Sequence, residues 1–551
     1  METHVDFIIF LAKDYIQQIE ISINYKKTRK SHGAVQVSLI HSISARSSYT
    51  IPLALFIASI LIYAYSLEGQ PHHGDEINYL GWAGNYIHLI TNGDLANTCL
   101  ISIDNCNSLY HIPAHGITYS PLRMILIGVP LSLEHQDTGD YYDWSCYWFT
   151  CYNFHNSPTV EQMTAGRALS PIFGALTVVV AFLIGKILFN RNAGVIFSLV
   201  FMFYNLWIWY SRTIMTEVHY IFFSMLALLI LLYSFKTGCL KVKYLVLSGI
   251  VFGCALTSKL LAIEFSVLFT GIILLNGMFQ RQLGSSIDKK QILKISVTLV
   301  IFFSIAAFAF LLTEPGFYKN PVLQIKTIKS DMDNYNHDVW FIAYPTVQGL
   351  QPIRMLLLFY YALFPSPTEN TIPGAFPNST FNLGWNSPPT YSSVPLTIFF
   401  FVGITYMIQK VRRSKDCIPE ILVLIWFVST FIATLMIARD LSLERYMLPF
   451  LISIIVISSY GFCKFVRHIP SKKIQISFVA CALLAHAATS MSYWQKIYFS
   501  PGTFWTNPLP YGTLQESLVN PVTLFINIVF VAFFAYMMAI QFKNKTGITA
   551  K

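Results

Sequence analysis

The sequence predicts an all-α protein, a polytopic transmembrane bundle of about 12 spans with interfacial helices in a long first exoplasmic loop. Three observations predict it. Of 551 residues, 54% are hydrophobic and only 12% charged, where soluble proteins carry about 25% charged residues. Apolar stretches long enough to cross a bilayer, about 17–25 residues, recur after residue 50. Lys and Arg gather in every second connection between them, as the positive-inside rule requires. In lipid the backbone must satisfy its own hydrogen bonds, so such stretches are helices. The period-two alternation of a membrane β-barrel is absent.

The expected spans are 48–66, 167–187, 193–210, 216–235, 242–258, 260–279, 294–313, 394–409, 418–437, 446–463, 474–491 and 521–541. Their basic flanks fix sidedness. Lys186 and Arg191, then Lys236, Lys241 and Lys243, then Arg281, Lys289, Lys290 and Lys294 mark one side. Lys410, Arg412, Arg413 and Lys415, then Lys464, Arg467, Lys472 and Lys473, then Lys543, Lys545 and Lys551 continue it. Both termini are expected in the cytoplasm. The net charge of +10 follows from this topology and gives nucleic acid little claim as a partner. The apolar patch 7–12 is too short for a signal peptide. Residues 1–47 read as an amphipathic cytoplasmic segment carrying Lys26, Lys27, Arg29 and Lys30. Residues 48–465 read as the catalytic transmembrane region and 466–551 as C-terminal transmembrane helices.

The remaining connections are exoplasmic. The largest, 67–166, contains 76–90 and 120–133, both read as helices lying at the interface; 354–364 in the loop 314–393 is read likewise. Of nine cysteines, Cys99, Cys106, Cys146 and Cys151 fall in the first outer loop. Four cysteines on an oxidising side suggest two disulfides with three pairings open. The histidines of the same loop show no diagnostic zinc spacing. Asn378-Ser379-Thr380 is a short glycosylation sequon.

Four local signals could carry chemistry. Asp75 and Glu76 follow the first span, and acidic groups at a membrane boundary are functional candidates. Glu217 lies in a short outer turn with Arg212, at the depth expected of Asp75. Two carboxylates at one depth could act as general base or hold a divalent cation; an Arg212–Glu217 pair that merely anchors the turn is the plainer reading. Lys259, after Thr257-Ser258, sits at the outer end of two spans, where an ammonium would attract phosphate or simply snorkel. Arg445 and Tyr446 open the tenth span, and Arg offers a planar fork suited to phosphate. Acidic and basic groups thus collect on the outer face, the arrangement that a sugar on a lipid phosphate needs.

These motifs, with Arg167 opening the second span and Glu444-Arg445-Tyr446-Met447-Leu448-Pro449 late in the chain, resemble the GT-C superfamily of membrane glycosyltransferases. The similarity is to its protein O-mannosyltransferase and aminoarabinose (lipid A) transferase type, and it covers roughly 48–465. The resemblance implies transfer of a sugar from a polyprenyl-phosphate donor to an acceptor on the exoplasmic side, with inversion, an EC 2.4 type activity. It implies Asp75 as the base, assisted by Glu76, with Glu217 as the acid of the second outer loop. Lys259, Arg445 and Tyr446 would hold the lipid phosphate, and Arg167 and Arg212 would bind substrate. It implies no required metal, a weak divalent-cation dependence being the one cofactor left open. The Cys-, Tyr- and Trp-rich stretch 134–160 departs from the pattern. The acceptor, whether protein, lipid or glycan, stays open, and compact loops favour a prokaryotic plasma membrane over the ER. The alternative is a transporter or lipid-carrier flippase. Transporters place charges at the midplane on broken helices, whereas here the candidates lie at the outer boundary and Glu264 is the main charge deeper in a span.

Overall fold

The computed structural model describes residues 34–69, 74–93, 121–134, 158–236, 241–279, 289–314, 393–414, 417–437, 447–499 and 512–546, with a few positions between 317 and 326. Residues 1–54 and 55–551 form two compact units; in the first, residues 34–54 are helical. Helix α1 (Ala34–Ala64) is followed by α2 (Gly74–Thr91), α3 (Pro121–Leu133), α4 (Val160–Arg167) and α5 (Ser170–Leu188). Next come α6 (Arg191–Met202), α7 (Asn205–Tyr210), α8 (Thr216–Lys236) and α9 (Val242–Ser258). A 3-10 turn (Leu260–Phe265) precedes α10 (Ser266–Phe279) and α11 (Lys289–Thr313). The chain ends with α12 (Val394–Arg413), α13 (Ile418–Ile437), α14 (Leu448–Val466), α15 (Lys472–Phe499) and α16 (Gly512–Thr546).

Among the described residues nine helices are long and apolar enough to cross a membrane, and four shorter apolar ones accompany them: Tyr49–Ala64, Pro121–Leu133, Arg191–Met202 and Val242–Ser258. The protein is an integral, multi-pass membrane protein. Every expected span coincides with a helix. Two of them are broken. The stretch 193–210 divides into α6 and α7 at Phe203–Tyr204, and 260–279 opens with the 3-10 turn. The helices expected at 76–90 and 120–133 are present as α2 and α3. The interfacial segment expected at 354–364 lies outside the described residues, as do the four cysteines of the first outer loop and the sequon at Asn378.

Two apolar assemblies organise the described bundle. In the first, α2 and α3 pack face to face through Leu80, Ala83, Tyr86, Met124, Ile127 and Leu131, with Met163 and Ile214 beneath them. In the second, α14 is enclosed on nearly all sides, and Phe399, Phe462, Phe465, Phe478 and Phe530 build an aromatic core between α12, α14, α15 and α16. Phe399 meets Phe462 edge-on at 4.6 Å between ring centres, a favoured aromatic geometry. Helices α12 and α14 approach through glycine. A methyl at Gly403 would run into the carbonyl oxygen of Ile457, and one at Gly461 into that of Phe399. Small residues at a helix crossing give the close backbone contact on which association in lipid depends.

Polar ties close the bundle at two places. Glu420, on α13, accepts from Lys410 Nζ at 2.8 Å and from Tyr460 OH at 2.9 Å, joining α12, α13 and α14 at their basic end. His486, on α15, bonds Ser393 Oγ at 2.7 Å through Nδ1 and the carbonyl of Val200 at 2.9 Å through Nε2.

Candidate active site

The site is built at the ends of the helices opposite those basic turns. Its floor is the turn 211–215 between α7 and α8, buried throughout. Arg212 leaves this turn and donates to the carbonyls of Ile62, Tyr63 and Ser66, each at 3.1 Å. The carbonyls at a helix C-terminus lack intrahelical partners, and the guanidinium supplies donors to three of them around the end of α1. Ser66 itself adopts a left-handed backbone, φ +51°, a strained conformation for a residue with a side chain.

Arg167, at the end of α4, does the same one residue further on. Its Nη1 donates to the carbonyl of Leu67 at 3.1 Å. Its Nε and Nη2 grip the two oxygens of Glu76 at 2.9 and 2.8 Å, the bidentate fork geometry of a strong Arg–carboxylate pair. Glu76 Oε1 also accepts from the backbone N–H of Ile214 at 2.7 Å. Arg167 and Glu76 are both essentially inaccessible to solvent. Arg167, Arg212 and Glu76 are all buried and bonded to protein, because a charge at this depth must find a partner. They fix residues 62–67 and the start of α2 against the turn. Asp75 is the neighbouring residue in the first turn of α2; its side chain lies outside the described residues.

Glu217 opens α8, where a carboxylate suits the positive end of the helix dipole. It pairs with Lys259 rather than with Arg212: Lys259 Nζ stands 2.5 Å from Glu217 Oε1, and Thr216 Oγ1 donates to Glu217 Oε2 at 3.2 Å. Lys259 adopts extended backbone, φ −163° and ψ 127°, between α9 and the 3-10 turn, and this break swings its side chain across to α8. Glu217 is wholly buried, whereas the Lys259 side chain keeps 17% of its surface and its ammonium lies 5.8 Å from the ring centre of Tyr220. The lysine is thus the accessible member of the pair. Arg445 and Tyr446 lie outside the described residues. Among the described residues no three of His, Cys, Asp and Glu converge to hold a metal ion.

The structure adds groups that the motifs did not single out. Arg123, on α3, stacks over the ring of Tyr79 at 4.1 Å. Glu314, just past the end of α11, is buried. Burial pushes its carboxyl well above the ordinary carboxylate range, and the Arg123 guanidinium opposes that shift in part. His219, two residues after Glu217, packs edge-on against Phe173 at 5.0 Å, with no hydrogen bond to either ring nitrogen among the described residues. Arg123 was visible as the lone charge in the apolar stretch 120–133, and Glu314 as the acid that closes the span ending at Thr313.

The family model for dolichyl-phosphate-mannose-protein mannosyltransferases matches residues 145–317, a stretch that contains Arg167, Arg212, Glu217, Lys259, Glu264 and Glu314. No curated protein matches the chain at a significant level. Three solved structures show distant likeness. The Saccharomyces cerevisiae protein O-mannosyltransferase Pmt1–Pmt2 complex bound to the sugar donor is 18% identical over 48% of this chain and 33% of its own, with a TM-score of 0.35. The archaeal oligosaccharyltransferase AglB from Archaeoglobus fulgidus, with an inhibitory peptide and a dolichol-phosphate, is 14% identical over 87% and 60%, with a TM-score of 0.46. ArnT from Cupriavidus metallidurans, bound to undecaprenyl phosphate, is 12% identical over 90% and 77%, with a TM-score of 0.42. The chain thus spans a third of the length of the first and 60% of the second. The family resemblance carried by the motifs is met where the site residues are densest: residues 145–317 are similar to the dolichyl-phosphate-mannose-protein mannosyltransferases.

Proposed function

We propose that the protein is a glycosyltransferase that moves a sugar from a polyprenyl-phosphate donor to an acceptor on the exoplasmic side of the membrane, with inversion. The observation that carries this reading is the Glu217–Lys259 pair at the ends of α8 and α9, inside the stretch that matches the mannosyltransferase family model. The buried carboxylate aims the ammonium, and of the two side chains the lysine keeps an accessible surface. A fixed cation of this kind stabilises negative charge as it develops on a leaving phosphate. In the proposed step the acceptor oxygen attacks the anomeric carbon, and its proton passes to the carboxylate of Asp75. The bond from the anomeric carbon to the phosphate oxygen breaks, and its electron pair leaves with the lipid phosphate.

Glu76, Arg167 and Arg212 act in this scheme by holding the start of α2, and with it Asp75, against the turn before Glu217. Arg445 and Tyr446 complete the phosphate contacts from the start of α14. Residues 48–465 form the catalytic region, and 466–551 add transmembrane helices around it. The membrane is a prokaryotic plasma membrane, with both termini cytoplasmic. The deciding experiment offers radiolabelled polyprenyl-phosphate sugars to the purified protein beside Asp75→Asn. Turnover of a donor that is lost in the variant is expected. Binding or movement of the lipid without turnover of any donor would sink the transferase reading and favour a transporter or flippase.

A further inference from the structure

Both carboxyl oxygens of Glu264 are buried and neither has a hydrogen bond among the described residues. It is 2% exposed and lies in the 3-10 turn between α9 and α10. The turn sorts its side chains: Ile263 stands outward, 52% exposed, while Glu264 faces inward, where the turn packs against α8, α9 and α13. Lys259 is the cation that acts on it electrostatically. Two further buried hydroxyls have no partner on the helices that meet the turn, Ser224 Oγ on α8 and Thr434 Oγ1 on α13. Folded proteins satisfy their buried polar groups, and an ionisable side chain within an apolar span marks function by default. A buried carboxyl with both oxygens unmet, acted on by a lysine, describes an interior that something polar completes.

The chemistry of the groups selects what that is. A phosphodiester anion offers acceptors only, so it suits the ammonium of Lys259 and not a carboxyl. A sugar hydroxyl donates as well as accepts, so it suits the carboxyl. A lipid-phosphate sugar carries both within one headgroup, separated by one glycosidic linkage. We propose that Glu264 is a donor-binding residue whose carboxyl meets a ring hydroxyl of the sugar while Lys259 meets the phosphate. The inference rests on the glycosyltransferase reading and names the group that reads the sugar.

Its test measures binding of two lipids, a radiolabelled polyprenyl-phosphate hexose and the bare polyprenyl phosphate, to the full chain in lipid nanodiscs. Wild type is compared with Glu264→Leu and Glu264→Gln. Loss of a hydrogen bond of this kind is expected to weaken the sugar-bearing lipid about 10-fold or more in Glu264→Leu, to leave the bare lipid phosphate unchanged, and to be largely restored in Glu264→Gln. Equal weakening of both lipids would mark Glu264 as structural and overturn the proposal, and so would unchanged binding of both. Failure of the wild type to bind either lipid would instead remove the glycosyltransferase reading, and this inference with it.

Discussion

Truncating Arg167 removes two charge-assisted donors from the buried carboxylate of Glu76. Breaking a buried pair in this way costs about 3–5 kcal/mol, whereas replacing both members by apolar groups is far milder. Arg167→Leu is therefore expected to lower the melting temperature of the detergent-solubilised protein sharply, and Glu76→Leu combined with Arg167→Leu to recover part of the loss. Equal melting temperatures for the single and double variants would argue against a pair that acts as a unit. Glu314 sets a pH dependence. Its folded-state carboxyl binds a proton more tightly than the unfolded chain does, so stability is present below the ordinary carboxylate range and declines as pH rises from there toward the raised value. Glu314→Gln is expected to flatten melting temperature against pH on going from mildly acidic to mildly alkaline buffer, with the wild type falling more steeply.

At the scale of the helix, the crossing of α12 and α14 is the contact most sensitive to one atom group. Gly461→Val puts side-chain carbons where the carbonyl of Phe399 and the backbone of Gly403 already stand. Overpacking a tight contact costs about 1–3 kcal/mol, so a lower melting temperature is expected. A substitution at Val531, exposed on α16, serves as the control expected to change little. Hydropathy made the apolar helices legible, because lipid leaves the backbone no alternative to helix, but not the polar α4 that ends in Arg167. It set Lys259 between two apolar spans, but it did not reveal the extended backbone there or the 3-10 turn that follows, since Leu260 and Leu261 read as the start of the next α-helix. The partners were also hidden. Arg212 and Glu217 share one short turn, which suggested a local pair, yet Arg212 reaches back to the carbonyls of Ile62, Tyr63 and Ser66 and Glu217 reaches forward to Lys259. Backbone carbonyls at the end of a distant helix leave no mark in a sequence.

For the whole molecule, sidedness is the property that the charge pattern fixes and the bundle must respect. Single cysteines placed at 411 and 470, in a chain whose native cysteines have been replaced, are expected to resist a membrane-impermeant thiol reagent on intact cells, and one placed at 158 to react. Labelling at 411 or 470 from outside would reverse the orientation and move Lys259 to the cytoplasmic face. The long reach of the contacts around Glu76 also has a bearing on how the protein is made. Glu76 waits for Arg167, 91 positions later, and for Ile214, 138 positions later. A ribosome still translating the intervening segment therefore holds out a nascent chain whose acidic element has emerged but has no counter-charge to dock on, so the site can mature only after α4 and the turn before α8 have been inserted.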